Sequence, residues 1–187
     1  MKNKKVLFIT DSLGLPRLNP EPVYDEQSWP NIVASELEGN YRFYFYTVAG
    51  LHTAMLRQAL AFQVGAFKPD IIVLQVGIVD CSPRALKENE RKVLQRLPGT
   101  IANVIHKYIK KNYSSIVKAR NITYVDLDSF LNNLQAINEY FKGVKFIVIP
   151  IAPSNSKYEH KNPLIREYIA NYNAVLKDVF NDGFVEQ

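Results

Sequence analysis

The stretch that decides the fold is Lys5-Val6-Leu7-Phe8-Ile9, which runs directly into Thr10-Asp11-Ser12-Leu13-Gly14. A short apolar run that ends abruptly in polar residues predicts a buried strand. In open α/β sheets, ligands bind at the carboxyl ends of the strands, so this strand would carry Ser12 to that edge. Ser12 is therefore a candidate nucleophile. The alternative is that Asp11 and Ser12 only cap or turn the chain as it leaves the strand.

The composition indicates one globular domain. The chain has 187 residues, of which 47% are hydrophobic and 22% are charged, so residues 1–187 are predicted to form a single domain with a sizeable core. The formal net charge of +5 is modest, and the basic residues are scattered. The densest basic cluster, Lys107 with Lys110 and Lys111, has helical spacing and is typical of a solvated helix face. We therefore expect no nucleic-acid partner.

Cysteine usage and hydropathy give an expectation for the compartment. Cys81 is the only cysteine, which excludes an intrachain disulfide and favours a reducing compartment. The apolar run before Asp11 is too short for a signal peptide, and no stretch has the roughly 20 apolar residues of a membrane span. We therefore expect a cytoplasmic protein without a membrane partner. The sequence leaves the oligomeric state open.

Strand and helix patterns alternate along the rest of the chain. A proline-rich loop over residues 15–25 follows the first strand. The further predicted strands lie at residues 41–48, 71–76 and 144–151, and Phe184 opens a fifth. The predicted helices lie at residues 26–37 with Asp25 as the cap, at 51–67, and from Asn162 or Pro163 through Phe180.

A long helical segment, at about residues 85–142, separates the third and fourth predicted strands. Its pattern predicts helices at residues 86–97, 100–111 and 129–141, with a short extended piece at 124–127. The alternation elsewhere predicts a three-layer α/β/α sandwich. Its centre is a flavodoxin-like, doubly wound parallel sheet of about five strands in the order 2-1-3-4-5, with the helical insertion after the third strand.

Three predicted strand ends carry polar or glycine residues, and a parallel sheet brings such ends to one edge. They are Asp11-Ser12, the segment from Gly50 through His52 to Thr53, and the segment from Gly77 to Arg84. Acyl transfer needs a nucleophile, a base and donors aimed at the developing oxyanion. Ser12 can be the nucleophile, and the backbone N–H groups of Ser12 and Gly50 can be the donors. The alternative is that Gly50 and Gly77 are only turn glycines.

These segments resemble the SGNH, or GDSL, hydrolases. Thr-Asp-Ser-Leu ending at Leu13, the glycine Gly50 and the Gly-x-x-Asp from Gly77 to Asp80 are similar to the first three blocks of that family. The match is closer to a subgroup of bacterial polysaccharide-associated hydrolases, which have D-S-L-G-L-P-R early and G-I-V-D-C-x-P-R later. The motif Asp25-x-x-x-Trp29-Pro30 resembles that subgroup too. Beyond Arg84 the resemblance extends only to the order and kind of the elements.

The resemblance implies a serine esterase or deacetylase. Ser12 would attack an ester carbonyl, and the N–H groups of Ser12 and Gly50 would stabilise the oxyanion, while a histidine from a late D-x-x-H block would act as the base. The implied substrates are small acyl esters, and the subgroup points to O-acetyl groups on carbohydrate. Asp11, His52, Gly77, Asp80 and Arg84 are implied to shape the site or contact substrate. The resemblance implies no metal and no organic cofactor.

The chain departs from the family pattern within two of the blocks. Thr10 stands where the first block usually has glycine, a tolerable change because this residue precedes the turn. Val79 stands where the third block usually has asparagine, whose amide completes the oxyanion hole. Loss of one such donor costs about 2.7–4 kcal/mol of transition-state stabilisation. The Arg84 guanidinium can compensate as a cation near the oxyanion, or it can pair with a carboxylate in a structural role.

The base and the acid that orients it are not found in this chain, because the sequence contains no D-x-x-H pattern. Its three histidines are His52, His106 and His160. His52 closely follows Gly50 and is expected to face the site. His106 falls in a predicted helix and is expected to be a surface or packing residue. His160 is expected to be exposed in a loop after a strand, a position from which it could also reach the cleft.

Three explanations of the missing base remain open from the sequence. In the first, the C-terminal block that carries the D-x-x-H pattern lies beyond Gln187. In the second, the chain is a catalytically impaired relative that binds a carbohydrate or acyl ester. The third is a flavodoxin-like nucleotide-binding module, although neither G-x-G-x-x-G nor a Lys-Ser/Thr phosphate loop is present. The expected partner in the first two cases is a small-molecule or carbohydrate ester.

Overall fold

A parallel sheet of four strands forms the centre of the computed structural model, which describes residues 3–19 and 21–186. Pro20 of the predicted proline-rich loop, and Met1, Lys2 and Gln187 at the ends of the predicted domain, lie outside the described residues. The strands are β1 (Lys4–Thr10), β2 (Tyr41–Thr47), β3 (Ile71–Gln75) and β4 (Lys145–Val148). Their spatial order, β2-β1-β3-β4, agrees with the predicted order over these four positions.

The predicted count of about five strands is corrected to four in the described residues. At the free edge of β4, Phe184 forms a single parallel bridge with Val148, and the Val185 N–H donates to the Val148 carbonyl at 3.0 Å. The chain thus begins to pair at the predicted fifth position. Pairing over one residue does not make a strand, because a ladder needs several consecutive partners.

Nine helices accompany the sheet in the described residues. They are α1 (Trp29–Glu36), α2 (Thr53–Ala59), α3 (Ile78–Cys81), α4 (Glu88–Arg96), α5 (Gly99–Lys111), α6 (Tyr113–Arg120), α7 (Leu127–Tyr140), α8 (Ser156–Lys161) and α9 (Ile165–Val179). Short 3-10 turns lie at Ser12–Gly14, Asp25–Gln27, Val64–Phe67 and Asn181–Gly183.

The two faces of the sheet are covered by different helices, which gives the predicted three layers. On one face, Leu7 and Ile9 of β1 join a large buried cluster that includes Leu134 of α7 and Leu176 of α9. On the other face, Phe8 packs against Trp29 of α1, with ring centroids 5.5 Å apart. The continuous apolar run of β1 is buried because it has a helix layer on each side.

Several predicted helix boundaries were wrong for local reasons. The helix predicted to begin at residue 26 begins at Trp29, because Asp25–Gln27 forms a separate 3-10 turn and Ser28 is the N-cap. The helix predicted over 51–67 ends at Ala59 and is followed by the turn Val64–Phe67. There Gly65 passes so close to the Tyr140 hydroxyl that a side chain would collide with it.

The helical insertion was predicted in outline, with two errors. The piece predicted as extended at 124–127 is not a strand, because Asp126 caps α7 by accepting the Ser129 N–H at 2.8 Å. Helix α6 was not predicted, and neither were α3 and α8 outside the insertion. Moreover, α7 is not peripheral, since Phe130, Leu134 and Ile137 are fully buried in the main core. The less buried part of the insertion is therefore α4–α6, in which only Leu94 and Val117 are buried among the described residues.

No helix in residues 3–19 and 21–186 combines the length and the apolar character needed to cross a membrane.

Candidate active site

The carboxyl ends of β1, β2 and β3 lie side by side at one edge of the sheet. Thr10 pairs with Thr47 on one side and Gln75 on the other. The backbone continues these contacts beyond the strands, since the Val48 N–H donates to the Thr10 carbonyl at 3.1 Å and the Asp11 N–H donates to the Gln75 carbonyl at 3.3 Å. The structure thereby brings Ser12, Gly50 and Gly77 to the same edge.

Ser12 is exposed at the start of the 3-10 turn that leaves β1. The cap of this turn is Asp11, whose carboxylate accepts the Leu13 N–H at 2.8 Å. Within the described residues, the Ser12 hydroxyl has no hydrogen-bond partner. The sequence left open whether these two residues cap the turn or face a ligand. In the structure Asp11 caps the turn, and the Ser12 side chain is available for a ligand.

Asp11 is itself almost completely buried, with 1% of its surface exposed. One of its carboxylate oxygens bonds Leu13, and the other is buried without a partner in the described part of the chain. Burial raises the pKa of Asp11, and the hydrogen bond from Leu13 opposes the rise. The serine turn is therefore anchored in the interior by a carboxyl group that pays a desolvation penalty.

Two backbone donors are free at this edge. Among the described residues, neither the Ser12 N–H nor the Gly50 N–H donates a hydrogen bond. Gly50 has a φ of +74°, a conformation that glycine adopts readily. Val79, at the position of the family's asparagine, is half-buried in α3 and has no side-chain donor. This edge therefore has two free backbone N–H groups, which can donate to an anionic oxygen, and no side-chain donor at Val79.

Asp80 is fully buried and connects α2 to α3. Its carboxylate accepts the Thr53 N–H at 2.8 Å and the Thr53 hydroxyl at 2.6 Å. The Asn133 amide of α7 in turn donates to the Thr53 hydroxyl at 3.2 Å. Burial raises the pKa of Asp80 to about 6, the charge of Asp11 adds to the rise, and the bonds from Thr53 oppose it. Asp80 thus holds the two elements that follow Gly50 and Gly77.

His52 is half-buried and caps α2. Its Nδ1 accepts the Met55 N–H at 3.4 Å, so the neutral ring carries its proton on Nε2. In this tautomer Nε2 can donate a hydrogen bond but cannot accept a proton. Burial lowers the pKa of His52, against the charge of Glu88, which raises it. The geometry suits contact with a substrate oxygen more than general-base catalysis.

The other two histidines are exposed. His106 lies on α5, and His160 lies on α8, so the expectation that His160 sits in a loop was wrong. Ser156–Lys161 form a helix because Asn155 caps it by accepting the Tyr158 N–H at 2.8 Å. No histidine in the described residues bonds a carboxylate, and no group of metal-ligating side chains there can hold a metal ion. A histidine–acid pair for Ser12 is therefore not assembled in this part of the chain.

Arg84 has no carboxylate partner in residues 3–19 and 21–186. Its guanidinium carbon lies 4.7 Å from the centre of the Tyr124 ring, and its Nε is buried without a hydrogen-bond partner. The Tyr124 ring also contacts His52, with centroids 6.5 Å apart. In the described residues Arg84 therefore does not have the structural role of pairing with a carboxylate.

The contacts of two residues that support the site, Thr53 and Tyr124, were not predicted from the sequence. Thr53 was grouped with the second strand end, but nothing in its sequence indicated that it would bond Asp80. Tyr124 was assigned to an extended piece, and only the turn into α7 brings its ring between His52 and Arg84. Trp29, by contrast, was part of a quoted motif, and its indole N–H donates to the Gln75 side chain at 3.0 Å, next to the site edge.

The fold is similar to that of solved ester hydrolases. A lipase/acylhydrolase from Enterococcus faecalis matches with a TM-score of 0.62 and 16% identity, over 98% of this chain and 75% of that one. A catalytic mutant of Axe2, an acetylxylan esterase from Geobacillus stearothermophilus, matches with a TM-score of 0.60 and 19% identity, over the same 98% and 75%. The structure called TesA matches with a TM-score of 0.58 and 16% identity, over 96% and 74%.

No protein-family model matches the chain, and a search of curated proteins found no match. At identities below 20%, the structural matches establish the fold and leave the chemistry to be argued from the site. The resemblance first seen in the residues from Thr10 to Arg84 is thus confirmed at the level of the fold.

Proposed function

We propose that this chain is a member of the SGNH hydrolases and acts as a serine ester hydrolase on small acyl esters. The observation that carries the proposal is the exposed Ser12 hydroxyl, which Asp11 leaves free by capping the turn at the end of β1. The free N–H groups of Ser12 and Gly50 at the same edge support it. We further propose O-acetyl groups on carbohydrate as the substrate class, which the acetylxylan esterase among the structural matches supports.

The chemistry would follow acyl transfer. Ser12 Oγ attacks the ester carbonyl carbon and gives its proton to solvent, because no histidine–acid pair for Ser12 is assembled in the described residues. The carbonyl oxygen becomes an oxyanion that accepts hydrogen bonds from the Ser12 and Gly50 N–H groups. The tetrahedral intermediate collapses, the alcohol leaves with a proton, and water then hydrolyses the acyl-serine ester. Because Val79 provides no third donor, we expect a rate about 10²–10³-fold below that of a site with the amide.

A second function is favoured by one specific observation. No histidine–carboxylate pair is assembled for Ser12 within the described residues, so the same edge can bind an acylated carbohydrate without cleaving it. In this alternative Ser12 donates or accepts a hydrogen bond in the complex. The two functions differ in whether Ser12 forms a covalent bond to the acyl group.

The proposal is tested by hydrolysis of p-nitrophenyl acetate. We expect the wild-type chain to release p-nitrophenol faster than the blank. Ser12→Ala should lower that rate at least 100-fold. Ser115→Ala, which changes an exposed serine on α6, should have the wild-type rate. Added imidazole should accelerate the wild type more than Ser12→Ala, since it can take the serine proton. Equal rates for the wild type and Ser12→Ala would refute catalysis by Ser12, and saturable binding of acetylated xylo-oligosaccharide would then favour the second function.

A further inference from the structure

A group of cationic and aromatic side chains lies where the chain leaves α3. We call it the Arg84 cluster and define it as Arg84, Tyr124, His52, Tyr113 and Lys161. Arg84 lies over the Tyr124 ring at 4.7 Å, and the Lys161 ammonium lies 5.1 Å from the centre of the Tyr113 ring. Within the described chain, neither cation forms an ion pair.

The uncompensated charge of Arg84 is the feature that requires an explanation. The side chain is half-buried, and its Nε is fully buried without a hydrogen bond in the described residues. A polar atom that is buried without a hydrogen bond costs free energy, because its lost hydration is not replaced. A cation–π contact offsets only a small part of that penalty. A guanidinium held in this state matches an anionic oxygen group that arrives with a ligand.

The backbone around Arg84 is held by hydrogen bonds to neighbouring elements, so the side chain starts from a fixed point. The Arg84 N–H donates to the Ile122 carbonyl at 2.8 Å. The Pro83 carbonyl accepts the buried Asn162 amide at 3.0 Å and the Tyr113 hydroxyl at 3.4 Å. The Ser82 hydroxyl bonds the Tyr158 hydroxyl at 2.9 Å. These bonds limit the entropy lost when a ligand orders the site.

The cluster adjoins the proposed active site through Tyr124. The Tyr124 ring touches both Arg84 and His52, and His52 lies two residues after the oxyanion donor Gly50. The one acidic side chain that influences His52, Glu88, is paired with Lys92 at 2.6 Å. The surface next to Gly50 therefore combines aromatic rings with positive charge.

We infer that the Arg84 cluster binds an anionic oxygen group, a carboxylate or a phosphate, on the sugar that carries the ester. The inference rests on the proposed function for its position on the substrate, and it names that substrate as an acidic saccharide. The guanidinium of Arg84 receives the anionic group in a bidentate pair.

The test measures binding, so that it does not depend on hydrolysis. NMR titrations would compare the methyl glycoside of glucuronic acid, glucose 6-phosphate and methyl glucoside as a neutral reference. We expect at least one acidic ligand to bind roughly 10-fold or more tightly than the neutral one. The stronger of the two acidic ligands identifies the anionic group. Equal binding of all three, or no binding of any, would overturn the inference.

Variants assign the effect to Arg84. Arg84→Gln should remove the preference for the acidic ligand. Arg84→Lys should retain part of that preference, because the charge remains but the planar guanidinium is lost. Arg91→Gln, a control that changes an exposed arginine on α4, should leave the preference intact. A thermal unfolding curve for each variant excludes misfolding. Retention of the preference in Arg84→Gln would overturn the inference. Inactivity of the enzyme with intact acidic preference would instead count only against the proposed hydrolysis.

Discussion

Two buried carboxyl groups, those of Asp11 and Asp80, shape the edge on which Ser12 is exposed. Each has one oxygen that accepts hydrogen bonds and one that is buried without a partner in the described residues. Both pKa values are raised, chiefly by burial. The site geometry is therefore maintained at a cost in stability, which is common where function constrains a fold.

Asp80 gives a pH dependence whose sign follows from its pKa. The pKa rises from 3.8 to about 6 in the folded chain, so the folded state binds this proton more tightly than the unfolded state. Its contribution to the free energy of unfolding is therefore greatest below about pH 4 and falls by up to about 3 kcal/mol as the pH rises through 6. Asp80→Asn, which keeps an acceptor for Thr53, should lack this decrease.

Urea denaturation between pH 4 and 7 checks this expectation. As the pH rises from 4 to 7, the free energy of unfolding of Asp80→Asn should increase relative to that of the wild type. Asp178→Asn, which removes an exposed carboxylate from α9, serves as the control and should track the wild type. Parallel curves for Asp80→Asn and the wild type would contradict the assignment.

The candidate site could be located from the sequence only where a residue's position depends on strand ends. Ser12, Gly50 and Gly77 follow three strands directly, so a parallel sheet brings them together. Thr53 and Tyr124 owe their places to tertiary packing, by a bond to Asp80 and by the turn into α7, and no local pattern encodes either contact. The lack of a partner for Arg84 likewise becomes visible only in three dimensions.

At the scale of the elements, two strand-to-helix turns are made by glycines that differ in their surroundings. Gly77 has a φ of +119°, and a Cβ there would lie 2.6 Å from Ile151 Cδ1. Gly50 has a φ of +74°, and a Cβ there would meet no described atom within 4 Å. Any other residue would have a strained backbone at both positions, whereas its side chain would collide with the core only at position 77.

Alanine at the two glycines should therefore have unequal effects. Gly50→Ala should lower the free energy of unfolding by about 1 kcal/mol, through strain alone. Gly77→Ala should cost roughly 3 kcal/mol or more, because strain and overpacking against Ile151 combine. Denaturant titration measures both. Equal costs would show that Ile151 moves aside freely, and adding Ile151→Val to Gly77→Ala should recover part of the loss if the contact is responsible.

The elements that could be predicted were those with an unambiguous apolar pattern. The runs in β1 and β3 are buried on both faces, and the sequence indicated both strands within one residue at their carboxyl ends. The start of α1 was misplaced because Asp25 is a good cap in sequence, yet it begins a 3-10 turn, and Ser28 precedes the helix instead. Cap residues spaced closely along a chain compete, and only packing decides between them.

For the molecule as a whole, burial is distributed unevenly within the helical insertion, between α7 and the helices α4 and α5. Leu134 and Ile137 of α7 are fully buried against the sheet. By contrast, α5 has no buried residue in the described chain, and α4 has only Leu94. The sequence predicted helices in both places, but amphipathic spacing alone does not reveal whether the apolar face finds a partner.

This distribution predicts where the molecule opens first. Segments with few buried apolar contacts open at low free energy, so the amides of α4 and α5 should exchange with deuterium well before those of α7. A matched pair of substitutions tests the same point, since Ile101 of α5 is 50% exposed and Ile137 of α7 is 0% exposed. Ile137→Ala should cost about 2–5 kcal/mol, and Ile101→Ala about 0.5 kcal/mol or less. Equal protection of α5 and α7, or equal costs at the two isoleucines, would mean that α5 is covered in solution by a surface outside the described contacts.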